Sequence, residues 1–179
     1  MMNINRIKGF TVIELMIVVA VIGILLAVGL PGLQDTISRV TTNSQAKTLM
    51  ASLNFARSEA IKRGTTVTVC ASSSGVDCAS NVWSDGWLVF IDVNGDANGA
   101  AGSVDAGDDV LRVYQGFGGG STLTFTAALQ QYDAQGFGTN TAARTFLLCP
   151  EDGNSLHAQA VEISVTGRGR RIHEGLVCP

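Results

Sequence analysis

Residues 10–30 read FTVIELMIVVAVIGILLAVGL, 21 consecutive positions with one ionisable side chain, Glu14. At 1.5 Å rise per residue the stretch matches the roughly 30 Å hydrocarbon core of a bilayer, which predicts a membrane-spanning helix. Arg6 and Lys8 precede it and no comparable basic cluster follows at once, so the positive-inside rule places the N-terminus in the cytoplasm and the remainder outside. An ordinary secretory signal is cut after its apolar stretch, and Ala27-Val28-Gly29 could imitate such a site.

The residues at the head of the stretch argue for a different processing route. The run KGFTVIEL closely resembles the class III leader of type IV pilins and type II secretion pseudopilins. The resemblance implies that a membrane aspartyl prepilin peptidase cuts after Gly9 and methylates the new N-terminal residue, Phe10. Glu14 then becomes the fifth mature residue, where the family keeps a glutamate, and Pro31 the twenty-second, where many pilins carry a helix-kinking proline. A carboxylate inside an apolar stretch costs several kcal/mol unless it is paired or reaches water, so Glu14 is expected to have a task. The family assigns it one: the incoming subunit's glutamate meets the N-terminal amine of a neighbour and sets register as the filament grows. The implied location is the inner membrane, with the head in the periplasm, and later a surface pilus filament.

Beyond the apolar block about 145 residues remain, enough for one domain to bury a core unaided. The formal net charge is −3, more negative by two once Arg6 and Lys8 leave with the leader, so general affinity for nucleic acid is not expected. All four cysteines, Cys70, Cys78, Cys149 and Cys178, follow the block and none has the spacing of a zinc site. Two disulfides in an oxidising compartment are the better reading. Three connectivities are possible, and local loop closure favours Cys70 with Cys78 and Cys149 with Cys178.

The helical period continues past Pro31: Leu33, Ile37, Val40, Ala46, Leu49, Leu53, Ala56 and Ala60 recur three or four apart where they cluster. Lys62 and Arg63 suit a last turn and Gly64 a C-cap, so one helix is expected from about Thr11 to Arg63. Short β-prone runs follow at 65–71, 87–92, 110–114, 122–126, 145–149, 160–165 and 170–178, separated by Gly, Asp, Asn and Ser. No second helical pattern is long enough for parallel crossovers. The expected class is α+β, one long helix laid on an antiparallel β-sheet. The organisation that follows is a leader over 1–9, a transmembrane helix over 10–30, an amphipathic stalk over 31–63 and a β-rich head over 64–179.

The run LMASLNFARSEAIKRGTTVTVC, then WSDGWLVFIDVNGD and GDDVLRVY, looks like the GspH/FimT group of minor pilins and H-type pseudopilins, whose stalk helix ends in ARSEA before the first strand. Near the C-terminus, Thr166-Gly167-Arg168-Gly169-Arg170-Arg171 holds three of the five basic residues that follow Arg63. If the segment is extended, Arg168 and Arg170 project from one face, Arg171 points to the other, and the glycines allow close backbone approach. Adjacent guanidiniums suit consecutive phosphates. Gly167, Arg168 and Arg170 match the GRxR motif of FimT-type minor pilins position by position, and the resemblance implies DNA contact during natural transformation. Three phosphate contacts would give a log–log salt slope of about −2.7 on duplex DNA, hence weak, salt-sensitive binding without base reading. The other expectation is a purely structural tip-priming minor pilin or H-type pseudopilin whose arginines serve packing or subunit contacts.

Other features point to little chemistry. Asp92, Asn94, Asp96 and Asn98 alternate as in a calcium loop, but Ala97 and Ser103 occupy the template's glycine and glutamate positions, so an Asx-rich turn is the expectation. The stretch 116–120 (GFGGG) has no following Lys-Ser/Thr pair and reads as a flexible loop. Trp83 and Trp87 read as core residues. The two histidines, His157 and His173, fall in no nucleophile–base pattern, so neither an enzyme, a cofactor nor a metal is expected. The partners implied are other pilin subunits, the prepilin peptidase, the inner membrane and DNA.

Overall fold

Thr11 opens the long helix. Its Oγ1 accepts from the Glu14 N–H at 3.3 Å and its carbonyl from the Leu15 N–H at 3.2 Å, so Thr11 is the N-cap and Glu14 stands in the first turn, where the helix dipole favours an anion. The computed structural model describes residues 9–78, 80–93, 104 and 107–179. The helix, α1, runs Val12–Arg63, 52 residues. Contacts divide the chain into two units, Met1–Ile37 and Ser38–Pro179, with α1 contributing to both. In the first unit Ile13, Leu15, Met16, Ile17 and Leu25 are all more than half exposed, which in water would be untenable and in lipid is the expected state.

In the second unit, Thr42, Ala46, Leu49, Ser52, Leu53, Ala56 and Ala60 are buried at intervals of three and four, one stripe of α1 turned onto the sheets. Three of the seven, Ala46, Ala56 and Ala60, are alanines fully buried in the core. The strands are β1 (Val67–Ala71), β2 (Gly86–Ile91), β3 (Asp109–Gln115), β4 (Thr122–Phe125), β5 (Leu129–Tyr132), β6 (Arg144–Cys149), β7 (Gln159–Ile163) and β8 (Gly169–Ile172). Short 3-10 turns occupy Trp83–Asp85 and Ser155–His157.

One antiparallel sheet was expected and two are found, in the orders β3-β2-β1-β5 and β4-β6-β7-β8. The chain leaves the first sheet after β3, returns with β5, and leaves again for β6. The strand missing from the expectation is β5, whose sequence LQQY carries no apolar alternation, because its buried side chains are polar. Gln131 Nε2 donates to Asp92 Oδ2 at 2.9 Å, the carboxylate oxygen that also accepts from Thr68 Oγ1 at 3.2 Å, and Gln130 Nε2 donates to Asn140 Oδ1 at 3.3 Å. The Gln131 amide, whose Oε1 also accepts from Thr139 Oγ1, is buried at modest cost, whereas Gln130 Oε1 is buried without a hydrogen-bond partner among the described residues.

Both tryptophans are core residues. Trp83 meets Phe125 and Phe146 edge-on, while Trp87 stacks on Tyr114 and donates its Nε1–H to Ser52 Oγ of α1 at 2.9 Å. The glycine run 116–120 is a loop but an anchored one. Phe117 packs against Trp87 and its N–H donates to Ser84 O at 2.9 Å, at a point where a side chain on Gly116 would collide with the Ser84 carbonyl. Disulfides join Cys70 to Cys78, closing the loop after β1, and Cys149 to Cys178, tying the tail to the end of β6. These are the pairings that loop closure favours.

Candidate functional site

Ser164 organises the turn that joins β7 to β8. Its N–H donates to Arg168 O at 3.0 Å, its carbonyl accepts from Gly167 N–H at 2.9 Å, and its Oγ accepts from Arg168 N–H at 3.2 Å. Gly167 takes φ of 74°, a left-handed conformation, and a side chain there would collide with the Gly136 carbonyl oxygen. The hairpin therefore docks on the 133–138 turn, and Gly138 N–H donates to Val165 O at 3.2 Å across the junction. Arg57 of α1 clamps both: its Nε donates to Gly136 O at 2.8 Å and its Nη2 to Thr166 O at 3.4 Å. This clamp is the arginine of ARSEA, a residue that read as a landmark and not as part of any site.

The three arginines of the hairpin do not form one patch. In antiparallel pairing, residues opposite one another share a face. Arg170 lies opposite Glu162 and Arg171 opposite the buried Val161. Arg170 Nε donates to Glu162 Oε1 at 2.8 Å with its side chain 70% exposed, and that bond, aided by the opposite charges, raises the proton affinity of Arg170 above its usual value. Arg171 turns to the helix side and its Nη1 donates to Asn43 Oδ1 of α1 at 2.7 Å. Gly169, on that same side, leaves room for Met50, whose Sδ would lie 2.7 Å from an added Cβ. Arg168 is exposed at the turn, and its guanidinium has no hydrogen bond or ion pair among the described residues.

At the other end of the chain, Gly9 and Phe10 precede the helix in non-helical backbone. Phe10 is exposed, and nothing lies within 4 Å of where a Cβ on Gly9 would stand. Arg6 and Lys8 of the leader lie outside the described residues, as do Asn94, Asp96 and Asn98 of the calcium-like alternation; Asp92 is buried in the network with Thr68 and Gln131.

An exposed apolar helix that continues into a stripe covered by a disulfide-bonded, antiparallel head defines a pilin-class subunit, and comparison with known proteins agrees. The family described as "Type II transport protein GspH" matches residues 45–167, and the "Prokaryotic N-terminal methylation motif" matches residues 4–30. The chain belongs to the GspH family. It is 31% identical over 137 residues to fimbrial protein Q of Moraxella bovis, covering 76% of this chain and 87% of that one. It is 55% identical over 47 residues to the type IV major alpha-pilin of the same organism, 26% of this chain and 30% of that one. The crystal structure of the type IV minor pilin FimU of Pseudomonas aeruginosa superposes with a TM-score of 0.59 at 24% identity, over 78% of this chain and 93% of FimU. The minor pseudopilin EpsH of the Vibrio cholerae type 2 secretion system gives 0.53 at 16% identity, over 75% of this chain and 98% of EpsH. The chain is thus a pilin- or pseudopilin-type subunit anchored by its apolar N-terminal helix.

Proposed function

We propose that this subunit is a minor type IV pilin that enters the pilus at or near its tip and offers Arg168 and Arg170 to the phosphates of DNA during uptake in natural transformation. The observation that carries the reading is Arg168, a guanidinium without a partner among the described residues, exposed on a turn held rigid by Ser164, Gly167 and Arg57. Arg170 stands two positions along, and its exposed pairing with Glu162 is of the kind that contributes little to stability, so a phosphate oxygen can compete for it. The proposed contact is narrower than the sequence suggests, because Arg171 is turned to the helix side.

Two phosphate contacts give a log–log salt slope of about −1.8, shallower than the value for three. A gel shift of the full chain in mild non-ionic detergent, from low to high salt, tests this. Arg168→Ala/Arg170→Ala should abolish the salt-dependent retention, while Arg171→Ala should leave it nearly intact. Retention unchanged in the double variant removes the DNA role. The reading that then stands is a structural one, a tip-priming minor pilin or an H-type pseudopilin, favoured by the ties that Arg170 makes to Glu162 and Arg171 to Asn43.

A further inference from the structure

The sequence places no aromatic residue beside the arginines at 168–171, but docking of the β7–β8 hairpin on the 133–138 turn supplies one. A side chain on Gly167 would collide with the carbonyl of Gly136, the residue next to Phe137, so Arg168 Cα lies no more than about 10 Å from Phe137 Cα. Both side chains are exposed, Phe137 by 50%. The backbone that carries Phe137 is fixed on either side. Its N–H donates to Asp133 Oδ1 at 2.8 Å, its carbonyl accepts from Asp133 N–H at 2.9 Å, and Arg57 holds the preceding Gly136 carbonyl. Ile61 and Val165 are exposed at the same junction: Ile61 Cδ1 would lie 2.6 Å from a Cβ on Gly136, and Val165 O accepts from Gly138 N–H. An aromatic ring kept half in water on so fixed a turn adds little to the core and leaves an apolar surface for a partner.

The charges give that surface a direction. Asp133 and Glu162 are the carboxylates of the two docked segments. Asp133 lies in the ring's own turn, its Oδ1 accepting from the N–H groups of Gln135 and Phe137, and Glu162 is bonded by Arg170. The guanidinium of Arg168 has no such partner among the described residues. Cation on one side and ring on the other match the phosphate and the base of one nucleotide. A duplex keeps its base faces inside the stack and shows a rigid turn only phosphates and groove edges, whereas an unpaired nucleotide offers both phosphate and base face.

We propose that Phe137 is a stacking platform for an unpaired base whose phosphate is held by Arg168, so that the form of DNA this subunit binds best is a single strand. The proposal rests on the DNA reading of Arg168 and Arg170 and adds to it the form of the DNA. Stacking tolerates any base, so the site discriminates strand from duplex and not one sequence from another.

Fluorescence anisotropy of the full chain in mild non-ionic detergent compares three dye-labelled probes: a thymidine strand of about twelve nucleotides, an abasic strand of the same length and charge, and a duplex closed at both ends by base-free linkers. The native chain should bind the thymidine strand about tenfold more tightly than the abasic strand, and more tightly than the closed duplex. Phe137→Leu keeps an apolar side chain; it should lose that preference while binding the abasic strand as the native chain does, and Phe137→Trp should keep it. The salt slope on the thymidine strand, about −1.4 for two phosphates, should be unchanged in Phe137→Leu and shallower in Arg168→Ala. Equal binding of the thymidine and abasic strands by the native chain overturns the stacking role and leaves the DNA reading standing. A folded Phe137→Leu variant that retains the preference overturns it too, because the base contact then lies elsewhere. Binding of none of the three probes at low salt removes the stacking role and the DNA reading together.

Discussion

Gly167 carries two constraints at once, a left-handed backbone and a carbonyl oxygen where its side chain would go. Gly153 carries only the first, with φ of 66° and nothing within 4 Å of an added Cβ. Gly153→Ala should therefore cost about 1 kcal/mol, the price of the backbone alone, whereas Gly167→Ala should cost about 3 kcal/mol by adding displacement of the 133–138 turn. Thermal denaturation of both variants separates the two terms, and equal losses would mean that the hairpin does not dock as described. The motif marked Gly167 as a point of close approach. It could not say what approaches, since Gly136 lies in a turn with no pattern linking it to the hairpin. Arg57 was hidden in a similar way: its role depends on two carbonyl oxygens far along the chain, and carbonyls leave no trace in a sequence.

The last turn of α1 shows how an element end responds to pH. Glu59 pairs with Arg63 at 2.7 Å and Lys62 at 3.3 Å. The hydrogen bond from Arg63, with smaller help from Lys62 and against some desolvation, holds the Glu59 carboxyl below its usual value. A folded value lower than the unfolded one stabilises the fold above the ordinary carboxylate range, near 4.3, and that stabilisation is lost as pH falls through the lowered value. Glu59→Gln should lower the melting temperature at pH 7 and lower it by less at a pH below the ordinary carboxylate range. Parallel melting curves at both pH values would contradict the pairing. Helix extent was legible because α1 repeats its apolar period, ends in Lys62, Arg63 and Gly64, and needs no distant partner to be recognised. The β5 strand was not, because Gln130 and Gln131 are made buriable by Asp92, Thr68 and Asn140, residues that only tertiary structure assembles.

For the whole molecule, the apolar helix sets the compartment and the head sets the subunit type, and the two were unequally readable. Local runs identified seven of the eight strands, yet the partition into two sheets depends on strands changing sheets between β3 and β6, which no run encodes. The assembly role proposed for Glu14 belongs at this scale. Its position beside the Thr11 cap is compatible with a carboxylate presented to a neighbour's amine. Glu14→Ala should leave fractionation with the membrane unchanged and reduce recovery of the subunit in sheared filaments to a small fraction of native. Undiminished recovery would remove the role.

The bond from Cys149 to Cys178 reaches past everything from β6 to the end of β8. Synthesis runs from the N-terminus, so the thiol of Cys149 is made before β7 and β8 of its sheet. A chain cut short anywhere before Cys178 leaves that thiol unmatched and chemically reactive. Closure of this sheet by a covalent bond therefore depends on one of the last residues to be made, and loss of the tail removes the bond while leaving every strand of the sheet in the sequence.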